Sequence, residues 1–439
     1  MPPSSLALPR TAHPERLLPP ESTDHRVSAL MELLDVALQL STAHEEDRIL
    51  ELVTRGACAA IHCERTSLFL LDAERKELFT RTVTELEIRE IRIPWERGVI
   101  GWVARERQTT CVPHPAGDPR WDSSIDRQTG FVTRNILAVP VLSPVDDRLL
   151  GVLQLINTQH REFERFDTRI AQAFAAHAAS ALERSRLQRE ATQAAAWRRE
   201  MELARRIQQS FLPENLPNIA GYEIATWWQP AEFVSGDYYD WFPLPDGRLG
   251  LVTGDVCGHG LGPALIMASL RAMLRVLSPT TNDPQQMLSL LATGITDDLK
   301  ETQFVTLILA ALDPETHTLR YANAGHAPAL HVRRQRQEIF RLKPSQLPLG
   351  FPALPTGTPP ETVTLAPGDM IVLGTDGIIE ARNPQGELFG MERLTGLIRE
   401  STGQSACDLS ALISRAVTEF QAGQPPSDDA TLLILSRLP

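Results

Sequence analysis

The chain is poor in cysteine, in lysine and in long apolar runs. Five cysteines (Cys58, Cys63, Cys111, Cys257 and Cys407) are scattered over 439 residues. An odd, scattered set makes no disulfide framework, and without a Cys-x-x-Cys pair it offers no zinc or dithiol site. Cys58 and Cys63 stand five apart, a poor spacing for one helix face. Only Lys76, Lys300 and Lys343 are lysines, so 40 of the 43 basic residues are Arg, a bias we attribute to the gene's base composition. The 55 acidic residues set the formal net charge at -12. A surface of that sign repels phosphate backbones, so nucleic acid is not an expected partner. No run of 18 apolar residues occurs, and neither a transmembrane helix nor a membrane partner is expected. The N-terminus has no charged stretch leading into an apolar core, which argues against a signal peptide and for a cytoplasmic location. What is present, 42% hydrophobic and 22% charged residues, suffices for sizeable cores. At roughly 100–200 residues per domain the length predicts two or three domains.

Organisation follows from periodicity. Residues 1–26 read as a disordered tail, with six Pro in the first twenty and no apolar repeat. Amphipathic spacing predicts helices over 27–40 and 45–62. Strands are expected at 67–71, 77–83, 87–93, 135–142 and 149–157, with a short helix at 98–104 and a loop-rich stretch at 111–133. A long helix is expected from about 168 to 211. Its part beyond 184 is rich in Arg, Glu, Gln and Ala with no Pro or Gly, a good helix-forming composition. Imperfect 3-4 spacing of Trp197, Met201, Ala204 and Phe211 suggests a coiled coil, against a solitary helix as the plainer alternative. The parts are a domain over 27–184, a helical linker over 185–215 and a second domain over 216–439. In the last, strands are expected at 249–255, 304–312, 319–324, 370–374 and 431–435. Helices are expected at 262–277, 284–300 and 408–420, and a Pro-rich loop at 344–360. This order fits α+β better than βαβ repeats.

Four segments of the second domain share one design: Val234-Ser-Gly-Asp-Tyr-Tyr-Asp240, Leu251-Val-Thr-Gly-Asp-Val-Cys-Gly-His-Gly260, Ile371-Val-Leu-Gly-Thr-Asp-Gly377 and Ser427-Asp-Asp-Ala-Thr-Leu-Leu433. In three of them an Asp lies near a Gly at the end of a β-like run, and in the fourth two Asp precede one. Turns favour Asp and Gly in any fold. The four together, in a domain with no competing nucleophile set, point to carboxylates converging at one sheet rim. Hard divalent cations relieve their repulsion, and an oxygen donor set without His or Cys suits Mg²⁺ or Mn²⁺ better than Zn²⁺.

These segments resemble the PP2C-like (PPM-type) serine/threonine phosphatases, in the bacterial branch of stage II sporulation protein E and the sigma-factor regulators. The resemblance also takes in Ala204-Arg-Arg-Ile-Gln-Gln-Ser-Phe-Leu-Pro213, Tyr321-Ala-Asn-Ala-Gly-His-Ala-Pro328, Leu365-Ala-Pro-Gly-Asp369 and Phe389-Gly-Met-Glu-Arg-Leu394. It implies an α-β-β-α sandwich and a metal-dependent phosphoserine/phosphothreonine phosphatase. By resemblance, Asp255 bridges two Mn²⁺ or Mg²⁺ ions. Asp237 and the Val256 carbonyl complete one side, and Asp376 and Asp428 hold the other ion, with Asp429 as the alternative to Asp428. His259 is expected either to orient water or to hold its loop, His326 to be structural, and Asp240 to lie behind the site or on the surface. Gly236, Gly258 and Gly377 are expected to permit close backbone approach. Two departures stand out: Cys257 where the pattern has Ser, and Gln229 where it has Arg.

Residues 27–184 resemble a GAF sensory domain, through Asn135-Ile-Leu-Ala-Val-Pro-Val-Leu142, Leu150-Gly-Val-Leu-Gln-Leu-Ile-Asn157 and Phe163 to Asp167. Cyclic-nucleotide-binding members carry Lys after the Asn, which is missing here, so no cyclic nucleotide is expected. Neither His62 and His114 as haem ligands nor Cys111 as a chromophore attachment point has a supporting signature, and the GAF ligand or protein signal stays unassigned. The whole reads as a sensor-regulated protein phosphatase, a homodimer through its linker, acting on a small phosphorylated anti-sigma-factor antagonist. The competing readings are a catalytically silent interaction module and a phosphatase of a small phosphorylated metabolite.

Overall fold

The computed structural model describes residues 20–84, 87–129, 131–158, 162–300, 302–351, 360–401 and 403–439. The chain divides into two compact units, Met1–Ala195 and Ala196–Pro439. In the first, helices α1 (Pro20–Thr42) and α2 (Glu46–Ile61) precede strands β1 (Cys63–Asp72), β2 (Glu77–Thr84) and β3 (Glu87–Pro94). There follow α3 (Gly98–Glu106), β4 (Thr110–Val112), α4 (Ser124–Thr129), β5 (Ile136–Leu142), β6 (Leu149–Thr158) and the first half of α5 (Arg165–Gln209). The strands form one antiparallel sheet in the order β3-β2-β1-β6-β5-β4. Alternate side chains serve opposite faces, as the pleat requires. Leu68, Leu137, Val139, Leu153 and Leu155 pack with α2 and the start of α5. Phe69, Ile136, Ala138 and Val152 pack with Val99, Ile100 and Val103 of α3.

Among the described residues the second unit has ten strands. They are β7 (Tyr222–Gln229), β8 (Tyr238–Pro243), β9 (Leu249–Val256), β10 (Val305–Asp313), β11 (Thr318–Ala324), β12 (Ala329–Arg333), β13 (Glu338–Arg341), β14 (Glu361–Thr364), β15 (Met370–Gly374) and β16 (Ala430–Arg437). Its helices after α5 are α6 (Leu261–Leu277), α7 (Pro284–Ile295), α8 (Asp376–Ile379), α9 (Gly390–Glu400) and α10 (Ala406–Gln421). Two five-stranded antiparallel sheets, β14-β11-β10-β9-β8 and β13-β12-β15-β16-β7, are stacked. In β15 and β16, Ile371, Leu373, Leu433 and Leu435 face the first sheet, in the core that also holds Met267, Leu270, Leu288 and Leu291 of α6 and α7. Met370, Val372, Leu432 and Ile434 face the other way, onto α9 and α10. Both strands are thus apolar on both faces, which a four-layer α-β-β-α stack demands. Helix α10 starts on a capping box, Ser405 with Asp408, which satisfies two of the helix's orphan donors.

The α+β architecture and the expected strands agree with the sequence reading; β7, β8, β12, β13, β14 and α8 had no counterpart in it, and four further details differ. Residues 1–19 of the expected tail lie outside the described residues, but residues 20–26 form the first turns of α1; these turns lack the apolar repeat that marks the rest of the helix. The stretch 111–133 contains most of β4 and all of α4. Helix α7 stops at Ile295 and gives way to a 3-10 turn at Thr296–Asp298. Helix α9 was not foreseen, because it buries only Leu394 and Ile398, too few to print a period. Of the Pro-rich loop at 344–360, residues 352–359 lie outside the described residues. The long helix is continuous from Arg165 to Gln209, and residues 187–200 are exposed on every side. No helix among the described residues is long and apolar enough to cross a membrane.

Candidate functional site

Strand direction gathers the acidic residues. In antiparallel sheets the start of one strand lies beside the end of the next. Asp237 immediately precedes β8, and Asp255 is the penultimate residue of β9, where Tyr238 pairs with Gly254. Asp376 follows β15 by two residues, while Asp428 and Asp429 immediately precede β16, where Gly374 pairs with Leu432. All five carboxylates therefore meet at one rim.

Their electrostatics record the meeting. Burial and then the Asp376, Asp428 and Asp429 charges push the Asp255 carboxyl up to about 8. Burial and then Asp428 and Glu380 push Asp376 up to about 6. Asp237, 1% exposed, is raised well above the usual carboxylate range by burial, Asp255 and Asp429. Like charges in a low-dielectric place cannot all ionise without a compensating cation.

The second half of the rim is built from loop contacts. Asp429 is raised by burial, yet both of its oxygens are engaged: Oδ1 accepts from Ala231 N and Oδ2 from Gly236 N, each at 2.7 Å. Asp429 therefore ties the 231–236 loop to β16, which leaves Asp428 as the freer carboxylate of the pair. Thr375 Oγ1 donates to Asp237 Oδ2 at 2.7 Å, and Asp237 N donates to Ser235 Oγ at 3.0 Å. Asp237 Oδ1 is buried without a hydrogen-bond partner. Gly236 and Gly377 are required for the close approach: a Cβ would stand 2.7 Å from Val256 O at the first and 1.9 Å from Asp429 O at the second. Val256 itself is buried, its N donating to Gly236 O at 3.4 Å.

Other sequence-selected residues have structural partners. His259 Nδ1 lies 2.8 Å from Glu232 Oε1, both about half exposed, so it holds its loop to the 231–236 segment. His326 is buried, its Nδ1 3.0 Å from Thr306 Oγ1, and burial pushes it down to about 4. Asp240 is fully buried rather than superficial; Arg275 Nη2 reaches its two oxygens at 2.8 and 2.6 Å, and Tyr238 Oη donates to it at 2.6 Å. Cys257 Sγ accepts from Phe304 N at 3.2 Å. In the first unit, Asn157 sits at φ 60, accepts from Arg134 N at 2.7 Å and donates to Val132 O at 2.9 Å, a turn-fixing role. His62, His114 and Cys111 are exposed.

The residues fit a divalent cation by donor chemistry and by the orphaned Asp237 Oδ1, since every donor is a hard oxygen. Among the described residues, however, no three His, Cys, Asp or Glu side chains are arranged to hold an ion. Sequence reasoning missed Thr375 and Ser235, whose hydroxyls fix Asp237, and Gln208, whose side-chain amide meets Ser235. Each lay inside or beside a quoted motif, but a hydroxyl or amide aimed at a backbone leaves no mark in spacing.

Two stacked antiparallel sheets flanked by helices, with carboxylates converging on one rim, define the PP2C-like class of fold. Comparison with known proteins agrees. The family described as Stage II sporulation protein E (SpoIIE) matches residues 245–438, and the GAF domain family matches residues 45–182. Phosphoserine phosphatase RsbU of Bacillus subtilis (strain 168) is 30% identical over 238 residues, 54% of this chain and 70% of that protein. Protein IcfG of Synechocystis sp. is 31% identical over 267 residues, 55% of this chain but 42% of that protein, so the chain spans less than half of IcfG's length. The solved SiaA-PP2C domain of Pseudomonas aeruginosa aligns with a TM-score of 0.49 at 22% identity, over 56% of this chain and 99% of that one. The chain belongs to the SpoIIE/RsbU branch of the PP2C-like phosphatases and carries a GAF domain ahead of the phosphatase fold. Asp255, Asp376 and Asp428 fall inside the SpoIIE match, while Asp237 precedes it.

Proposed function

We propose that this chain is a metal-dependent phosphoserine/phosphothreonine protein phosphatase under control of its GAF unit. The observation that carries the reading is the convergence of Asp237, Asp255, Asp376 and Asp428 at one rim, with Asp255 raised by burial and by its acidic neighbours. Asp237, Asp255, the Val256 carbonyl, Asp376 and Asp428 are the groups that would hold two Mn²⁺ or Mg²⁺ ions. Such ions supply a water nucleophile at neutral pH and offset the charge of a phosphoryl group. The chain's own part is positioning. Asp255 lies among the other acids, Thr375 orients Asp237, and Asp429 keeps the 231–236 loop against β16. The substrate implied by family resemblance is a small phosphorylated antagonist of an anti-sigma factor, met in the cytoplasm.

Self-association is part of the proposal. Helix α1 exposes Val27, Met31, Leu34 and Leu38 at 3-4 spacing, and α5 exposes Leu187 and Trp197, apolar surface that a second copy would cover. A second reading, a silent interaction module, is favoured by the lack among the described residues of three acidic side chains already arranged around an ion. Phosphate release from a phosphoserine protein with Mn²⁺ separates the two. Activity in the wild type that is lost in Asp255→Asn supports the enzyme; absence of activity with Mn²⁺ and with Mg²⁺ supports the module.

A further inference from the structure

The last turns of α5 do more than connect the units. Within Ile207-Gln-Gln-Ser210 only one glutamine is buried: Gln208 is 4% exposed, whereas Gln209 faces solvent. Both ends of the Gln208 amide are used on one residue. Gln208 Nε2 donates to Ser235 O at 2.7 Å, and Ser235 N donates to Gln208 Oε1 at 2.9 Å. Ser235 is itself fully buried, and its hydroxyl accepts from Asp237 N at 3.0 Å. A side chain of the long helix thus reaches the backbone of Asp237 through a single intermediate residue. The same helix end is fixed a second time, where Arg271 Nε of α6 donates to Phe211 O at 2.9 Å and its guanidinium lies over the Phe211 ring. An amide that reads both the N–H and the C=O of one residue sets that residue's position and its rotation, because losing either contact leaves a buried polar group unpaired.

We infer that Gln208 is a positioning residue for Asp237, holding the 231–237 loop so that the Asp237 carboxylate faces the other acids of the rim. The inference rests on the proposed metal-dependent activity. It assigns the end of α5 to the scaffold of the active site, in keeping with the second unit's start at Ala196. Groups that orient a metal ligand from behind affect metal affinity on the order of 10- to 100-fold when removed. Full-length wild type, Gln208→Met, Gln208→Glu and Gln209→Ala would be titrated with Mn²⁺ by calorimetry. Turnover of p-nitrophenyl phosphate would be followed over the same Mn²⁺ range. Methionine keeps the volume and loses both hydrogen bonds; glutamate keeps the acceptor and sets an oxygen against Ser235 O. Both Gln208 variants should need on the order of 10-fold more Mn²⁺ for half-saturation, with kcat recovered at saturating metal, while Gln209→Ala behaves as wild type. Unchanged Mn²⁺ affinity in either folded Gln208 variant overturns the inference and leaves the functional reading intact. A wild type that neither binds Mn²⁺ nor turns over substrate overturns both.

Discussion

Gly377 offers the sharpest test of how the rim is built. An ideal Cβ at this position would stand 1.9 Å from Asp429 O and 2.7 Å from Asp429 C, where ordinary contact begins at 3.4 Å. The Gly377→Ala substitution must therefore part α8 from the start of β16 by roughly 1.5 Å, the difference between those distances. Both partners are backbone, so no rotamer change can relieve the clash. Overpacking of this kind costs about 1–3 kcal/mol. The larger effect falls on chemistry, because Asp376 and Asp428 adjoin the two pieces being pushed apart. A displacement of about 1 Å at reacting groups lowers a rate on the order of 100-fold. Urea denaturation followed by circular dichroism would report the first quantity, and phosphate release at saturating Mn²⁺ the second. Gly396→Ala is the matched control: it lies within α9 with nothing within 4 Å of its would-be Cβ and should stabilise by about 0.5–1 kcal/mol. A folded Gly377→Ala protein with a rate within twofold of wild type would refute the claim that this contact sets the spacing of the acids.

Two further outcomes follow from burial and charge. Arg275→Ala strips the cation from a fully buried Asp240; breaking such a pair costs about 3–5 kcal/mol, and the lower end is expected because Arg275 is itself 42% exposed, read from the urea midpoint. Asp255 and Asp376 are raised to about 8 and about 6 in the fold, so the metal-free native state binds more protons than the unfolded chain. Its stability is greatest below pH 4 as far as these groups go, and falls as pH rises through 6 and 8. Thermal midpoints in EDTA should decline from pH 5 to pH 9, with a shallower slope in Asp255→Asn; a wild-type midpoint that climbs over that interval contradicts the assignment.

The sequence carried the rim better than its supports. Asp237, Asp255, Asp376 and Asp428 were legible because each sits beside a glycine or a strand start, and sheet direction converts that placement into convergence. The residues alone gave an α+β order, and the α-β-β-α sandwich came only with the family resemblance; the burial of β10, β15 and β16 on both faces is what the structure adds. Strands β12 and β13 and helix α9 were not legible: the two strands, of five and four residues, are too short to print a period, and α9 buries only Leu394 and Ile398. The division of labour between Asp428 and Asp429 could not be read from spacing at all. It depends on Ala231 N and Gly236 N, donors supplied by a loop nearly two hundred residues earlier in the chain. For Asp240, expected behind the site or on the surface, the surface alternative fails for a related reason: it is a buried acid within β8 whose partner, Arg275, lies on a different element.

The two faces of β15 and β16 have a consequence for how the rim comes apart. Strands sealed on both sides open only when the whole domain does, so their amides should exchange with solvent most slowly. Asp376 and Asp428 are moored to those strands. Asp237 immediately precedes β8 and is further held through side-chain clasps from Gln208, Asp429 and Thr375 on its loop. A brief local opening would take away one carboxylate while leaving the sandwich, and the three acids at the other strand ends, in place.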